Sequence, residues 1–190
     1  MAGTDDRIKV AAPSVGGSGF RTYPWPLLPQ HRPRTPNGDV RLFRATLGFQ
    51  SYTPHIKAPL LWLGATNDFH GIMDDTYRTG ALIPHEQVRY AFTPHMNHRF
   101  TTTFPVTLPL WIDQHLKGSF KFPKTPKSKL VLTTESVPIL NVSPDSSKEI
   151  ERVHILYSVD PDPQARFWRT AVAKRNGQTW TAKLPIISVE

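Results

Sequence analysis

One stretch, residues 56–100, constrains the fold of this chain more than any other. It opens with an apolar run over 59–63, which ends in a Gly-Ala-Thr-Asn turn that presents Asp68. A second short strand is predicted over 88–92, and it ends in a turn that presents His98. Because a helical pattern separates the two segments, the order predicts two parallel strands with a carboxylate and an imidazole just past their carboxyl ends.

An aspartate and a histidine at neighbouring strand ends are the acid and base of a charge-relay site. An imidazole accepts a proton near neutral pH, and a buried carboxylate fixes its tautomer and stabilises the imidazolium. The carboxyl ends of parallel strands meet at one edge of a sheet. We therefore predict that Asp68 and His98 are catalytic and lie close together. The alternative is that Asp68 caps the following helix and that His98 is a polar loop residue.

Neighbouring residues offer two further interpretations, and neither is favoured. His70 and His95 stand near His98, but this spacing without a carboxylate of fixed geometry is a weak metal signal. Asp74 and Asp75 fit the first turn of a helix, where acidic side chains complement the helix dipole. We therefore predict no metal site and no cofactor.

The start of the chain predicts one more parallel strand. Residues 8–15 form a short apolar run suited to a buried strand, and the glycine-rich segment 16–19 ends it. That segment lacks the spacing of a phosphate-binding loop, and Ser18 is not in a Gly-x-Ser-x-Gly nucleophile elbow. A compact domain rarely begins with a central parallel strand, so this pattern predicts a part of a larger fold.

Residues 20–52 predict an irregular excursion between two core strands. Prolines concentrated at its start exclude a regular helix there. A short helix over 39–47, capped by Asn37 or Thr35, is predicted near its end. The excursion either lies over the strand ends and shapes a pocket, or is a surface loop with no ligand role.

The remaining periodicities divide the chain. Helices are predicted over 73–83 and 104–116, the second ended by Lys117-Gly118. A Lys/Pro-rich linker follows over 119–128, and Asn176-Gly177 predicts a hairpin with a type I′ turn. The predicted strands beyond the linker are 129–134, 152–158, 166–174 and 179–184. We therefore predict an α/β domain over 1–118, half of a doubly wound parallel sheet, and then a small β-sandwich-like, all-β domain over 129–190.

Composition excludes several classes of protein. The 190 residues contain no cysteine, which excludes disulfides, thiolate nucleophiles and zinc–thiolate sites. No apolar run approaches the length of a membrane span, and the N-terminus lacks the pattern of a signal peptide. The net charge of +8 is dispersed, so we predict no nucleic-acid partner and no membrane partner. The composition does not fix the compartment.

Three segments resemble the C-terminal half of α/β-hydrolases: A-G-T-D-D-R-I-K-V-A-A-P, P-L-L-W-L-G-A-T-N-D-F and F-T-P-H-M-N-H. They are most similar to the branch that contains dienelactone hydrolases, acetyl xylan esterases and prolyl-oligopeptidase-like enzymes. Over 1–118, the resemblance implies that Asp68 is the acid and His98 the base of a Ser–Asp–His triad. The later A-R-F-W-R-T-A and W-T-A-K-L-P segments resemble the β-domain of PhoPQ-activated pathogenicity-related proteins.

The chain departs from the family at the nucleophile, because the serine elbow and the elements before it are missing. The resemblance thus implies a fragment: the C-terminal portion of a serine hydrolase, an esterase or peptidase-like enzyme. Its substrate would be a small-molecule ester or a peptide. Such a chain is expected to be inactive alone or to need a complementary N-terminal half.

An alternative hypothesis belongs to a different class of function. The β-domain and the basic linker would form a non-catalytic module that binds an anionic polymer or a polysaccharide. The linker lysines Lys121, Lys124 and Lys127 would then contact the polymer.

Overall fold

The computed structural model describes residues 1–15, 38–101, 103–132, 137–163 and 165–186. The predicted glycine-rich turn over 16–19 and most of the predicted excursion lie outside these residues. The chain divides into two compact units, Met1–Phe120 and Lys121–Glu190. No described helix has both the length and the apolar character needed to span a membrane.

The first unit has mixed helices and strands, and most of them agree with the predicted periodicities. The predicted helix 104–116 is confirmed without a shift at either end, and the acidic pair 74–75 lies in the first turn of the helix before it, as predicted. The elements are α1 (Val40–Thr46), α2 (Phe49–Tyr52), a 3₁₀ turn (Thr53–His55), β1 (Leu60–Ala65), α3 (Met73–Gly80), β2 (Val88–Thr93) and α4 (Phe104–Leu116).

The start of α1 differs from the prediction in its cap. Asp39 is the N-cap residue, and its side chain accepts hydrogen bonds from the amides of Arg41 and Leu42. The predicted caps, Asn37 and Thr35, lie outside the described residues. A carboxylate one residue before the first helical turn satisfies two amides that have no partner within the helix.

Strands β1 and β2 form a two-stranded parallel sheet, from Leu60 opposite Val88 to Ala65 opposite Thr93. The segment 8–15 runs along the other edge of β1, where Ala11 and Ser14 form isolated parallel bridges. The sequence predicted a regular strand over this segment, and the structure has isolated bridges instead. Pro13 in this segment has no amide hydrogen, and Val15 has a φ of 45°, which takes the backbone out of the extended conformation.

The predicted doubly wound parallel sheet is wrong. Within the described residues, parallel pairing is confined to β1, β2 and the bridges beside β1, and all other strand pairs are antiparallel. Each further parallel strand would need a crossover of a dozen or more residues. After β2 the chain forms α4 and then enters the antiparallel unit, so no further parallel strand is added. Strand β2 is accordingly half-buried along its length, whereas β1 is buried throughout.

The core of the first unit lies around β1. Trp62 is 2% exposed and packs with Ile56, Leu60 and Ile83. The buried Trp111 of α4 donates its indole N–H to the carbonyl of Ala11 at 3.2 Å. These contacts hold the bridged N-terminal segment, β1 and α4 in fixed positions, so the loops that leave the strands begin from a rigid base.

The second unit is entirely antiparallel. Its elements are β3 (Lys127–Val131), β4 (Ile139–Ser143), β5 (His154–Tyr157), β6 (Arg169–Val172), β7 (Lys174–Asn176) and β8 (Thr179–Lys183). The first sheet has the order β3-β4-β8-β7, and the second consists of β5 and β6. One apolar core draws on both sheets, with Trp180 and Ile155 among its buried members. Strand β4 was not predicted, and the predicted strand 166–174 is divided between β6 and β7.

The predicted hairpin joins β7 to β8, but its turn differs in type. Asn176 pairs with Thr179, so Gly177 and Gln178 are the central residues of the turn. Gly177 has a φ of 61°, whereas Gln178 is not among the described non-glycine residues with positive φ. A type I′ turn needs positive φ at both central residues, and a type II′ turn needs it at the first alone. The turn therefore follows the type II′ pattern.

Candidate active site

Asp68 lies in the loop between β1 and α3, and its side chain is completely buried. One carboxylate oxygen, Oδ1, accepts hydrogen bonds from the amides of His70 at 2.7 Å and Gly71 at 2.8 Å. This local bonding is typical of an aspartate that holds its own turn. The N-cap position of α3 belongs to Ile72, so Asp68 holds the loop and does not cap the helix.

His98 lies in the loop that follows β2, and its ring meets the Asp68 carboxylate. Nδ1 of His98 lies 3.0 Å from Oδ1 and 3.0 Å from Oδ2 of Asp68. An ionised carboxylate only accepts hydrogen bonds, so this contact places the proton on Nδ1 and leaves the lone pair on Nε2. The His98 side chain is 34% exposed, and no described residue forms a hydrogen bond with its Nε2. The structure therefore brings together the two residues that the sequence singled out.

Three hydrogen bonds connect the beginnings of the two loops. The amide of Thr66 donates to the carbonyl of Thr93 at 3.1 Å, which continues the parallel ladder past β1. The amide of Asn67 donates to the carbonyl of Met96 at 3.0 Å. The amide of His95, at a φ of 57°, donates to Oγ1 of Thr66 at 2.9 Å. Asp68 and His98 are thus held by loops that are fixed to one another.

Asn97 is a positioning residue that the sequence interpretation missed. Its Oδ1 accepts from the amide of His98 at 2.7 Å and from the amide of Phe69 at 3.4 Å. Asn97 therefore connects Phe69, the residue after Asp68, to His98. The available signal was an asparagine directly before the predicted base, which is too common in turns to indicate this contact.

Three threonine hydroxyls form hydrogen bonds with one another where the His98 loop begins and ends. The sequence analysis did not predict these contacts. The Oγ1 atoms of Thr93 and Thr101 are 2.5 Å apart, those of Thr93 and Thr103 are 2.7 Å apart, and those of Thr101 and Thr103 are 2.8 Å apart. Each hydroxyl donates one hydrogen and accepts others, so the three satisfy one another in a ring. This ring joins the end of β2 to the start of α4.

Aromatic rings surround His98. The His70 ring lies edge-on to it with centroids 4.9 Å apart, and the Phe69 ring lies 5.8 Å away. His70 and His98 are therefore close, but in the described residues no three or more His, Cys, Asp or Glu side chains are placed to hold a metal ion. The His98 ring therefore contacts two neighbouring rings in addition to the Asp68 carboxylate.

Two cavities lie away from the pair. Cavities of about 580 Å³ and 280 Å³ are lined by residues near the start of β1, with Asp6 and Lys57 in both linings. Asp68 and His98 line neither. The predicted pocket over the strand ends involves residues 20–52, most of which lie outside the described residues.

The chain matches no protein-family model, no curated protein and no solved structure. The resemblance to α/β-hydrolases therefore stays a prediction. The site must be interpreted from its own geometry.

Proposed function

We propose that this chain supplies the acid–base pair of a serine-type hydrolase that acts on carboxylic esters or peptides. The observation that supports the proposal is the 3.0 Å contact between Nδ1 of His98 and both oxygens of the buried Asp68 carboxylate. The resemblance to α/β-hydrolases, which assigns the same two residues to these roles, agrees with it.

The chemistry follows from the tautomer. Nε2 of His98 accepts the proton of a hydroxyl as its oxygen attacks the carbonyl carbon of the substrate. Asp68 stabilises the imidazolium that forms, because its carboxylate is already oriented by three hydrogen-bond donors. The imidazolium then returns the proton to the leaving group as the bond between carbonyl carbon and leaving group breaks.

The hydroxyl nucleophile is the part that the described residues do not supply. No described serine or threonine forms a hydrogen bond with Nε2 of His98. The chain alone should therefore hydrolyse esters slowly, and a nucleophile added from outside should increase the rate through His98.

The test supplies that nucleophile. The full chain is incubated with p-nitrophenyl acetate and increasing trifluoroethanol, and formation of the trifluoroethyl ester is followed together with p-nitrophenolate release. We expect the alcohol-dependent rate to fall about tenfold in His98→Ala, a modest general-base effect for a nucleophile that is not prepositioned. Asp68→Asn should also lower it, because the amide no longer holds the Nδ1–H tautomer.

His95→Asn is the matched control, since it removes an exposed imidazole from the same loop while keeping a residue that tolerates positive φ. An alcohol-dependent rate that is equal in wild type and His98→Ala, with both folded by circular dichroism, would contradict the proposed role. Fast turnover without alcohol that disappears in His98→Ala would show that this chain contains its own nucleophile.

A further inference from the structure

The four-stranded sheet of the second unit has one largely polar face, with exposed lysines and half-buried neutral side chains. Antiparallel register places directly paired residues on the same face, so Lys129, Asn141, Thr181 and Lys174 form one row across the sheet. Side chains alternate between the two faces along each strand, so every second residue from this row lies on the same face. We call the polar residues of this face the lysine face: Lys127, Lys129, Asn141, Ser143, Lys174, Asn176, Thr179, Thr181 and Lys183. At one end the same side of the sheet carries two half-buried apolar residues, Val131 and Ile139, which pair with each other. The opposite face contributes Val142, Trp180 and Ala182 to the apolar core.

The charge on this face has one sign. No Asp or Glu occurs in β3, β4, β7 or β8. All four lysines are exposed, and within the described residues none lies within 4.0 Å of a carboxylate. Of the lysines elsewhere, Lys57 and Lys117 each form an ion pair. Like charges on one flat surface repel one another, and an anionic ligand relieves that repulsion.

Neutral hydrogen-bonding groups fill the middle of the face. Thr181 donates its hydroxyl to Oδ1 of Asn141 at 2.8 Å, which leaves the amide hydrogens of Asn141 as donors. Ser143 and Thr179 lie beside them with hydroxyls 3.5 Å apart. Lysines on β3 and on β7 lie on either side of these groups. The two strands are about 14 Å apart, which is three strand spacings. The arrangement suits a ligand that has repeated negative charges and polar groups between them.

We propose that the lysine face binds a linear anionic polysaccharide that bears sulfate or carboxylate groups. The face has no aromatic side chain, whereas single-stranded nucleic acids are bound chiefly by stacking of bases on aromatic rings. Hydroxyl and amide groups between lysines instead match sugar hydroxyls and acidic substituents. This inference does not depend on the proposed hydrolase function, and it assigns the binding to a sheet face and not to the Lys/Pro linker.

The experiment compares two pairs of lysines by titration of the full chain with heparin at low and moderate salt. Lys129→Gln with Lys174→Gln removes one charge from each side of the face. Lys121→Gln with Lys124→Gln removes two charges from the linker and is the matched control. We expect the face pair to weaken binding on the order of tenfold and to reduce the salt dependence of binding, because fewer counterions are released. The linker pair should change affinity less than about twofold.

All four positions are exposed, so we expect each variant to fold. Circular dichroism checks this. Equal losses from the two pairs, or a larger loss from the linker pair, would overturn the assignment to the sheet face. Failure of the wild-type chain to bind heparin at low salt would overturn the proposal altogether. Binding of neutral dextran as tight as that of heparin, or tighter binding of oligothymidylate at matched charge, would overturn the class of ligand.

Discussion

The two units of this chain place their polar side chains in opposite ways. Every buried polar or charged residue that the structure describes lies in the first unit: Thr53, Thr66, Asp68, Asp75, Thr76, Thr79 and Thr101. The described part of the second unit has an apolar core, and its polar strand residues face solvent. The first unit therefore buries polar and acidic side chains such as Asp68, whereas the second unit keeps its polar side chains at or near the surface.

The difference follows from how the strands are connected. Parallel strands need crossovers, so loops gather at their carboxyl ends, and Thr66, Asp68 and Thr101 are buried in such loops. Antiparallel strands with one face on the core separate polar and apolar residues by simple alternation. The acid–base pair and the binding face that we propose would use these two arrangements.

The largest effect should come from removing the central tryptophan of either unit. Trp62→Ala removes a side chain that is 2% exposed, which should lower the free energy of unfolding of the first unit by about 4 kcal/mol. Trp180→Ala is the counterpart in the second unit. Hydrogen exchange should increase within 1–120 for the first variant and within 121–190 for the second. Equal increases in both units for either variant would contradict the division into separate cores.

A smaller effect should separate a completely buried polar group from a half-buried one. Asp68→Asn keeps one oxygen for the amides of His70 and Gly71 but loses the charged acceptor for His98, which should cost about 2 kcal/mol. Thr181→Val on the lysine face should stay within about 0.5 kcal/mol of wild type. Denaturant titration measures both, and nitrogen NMR of His98 should show the loss of the Nδ1–H tautomer in Asp68→Asn. Similar costs for the two variants would refute the contrast.

The hairpin turn of the second unit should show a local backbone effect. Gly177 has a φ of 61°, so Gly177→Ala should destabilise the chain by about 1 kcal/mol through steric strain of Cβ. Gln178→Ala, at the neighbouring turn position, is the control and should be close to neutral. Thermal unfolding of both variants tests this, and a neutral Gly177→Ala would indicate that the turn differs from the type II′ pattern.

The smallest effect should appear in acid. The backbone amide of Lys124, with the hydroxyl and amide of Ser147, lowers the pKa of Asp145 from 3.8 to about 2. A lowered folded-state pKa means that this stabilisation is complete above about pH 4 and is lost as the pH falls towards 2. Carbon NMR titration of the Asp145 carboxyl should give a midpoint near 2, and Asp145→Asn should abolish this part of the pH dependence. A midpoint near 3.8 would show that these hydrogen bonds do not persist in solution.

Local sequence signals predicted some residues of the site and missed others. Asp68 and His98 were predicted together because each follows a predicted strand, and their 3.0 Å contact agrees with that expectation, while their catalytic roles stay a prediction. Asn97 and the three threonines were missed, because Thr93 and Thr101 are eight residues apart and nothing local links them. Partners of this kind depend on where two loops meet in space.

The sequence by itself determined the elements whose signals are short-range. Apolar spacing and a terminal Lys-Gly pair defined the helix Phe104–Leu116, and Asn-Gly located the β7–β8 hairpin. The tertiary structure decided which strands pair: in the described part of the chain it limited parallel pairing to β1, β2 and two bridges, added β4 beside β8, and chose the turn type at Gly177. The physical reason is that a strand's partner and register are set by contacts between distant residues, which no local pattern contains.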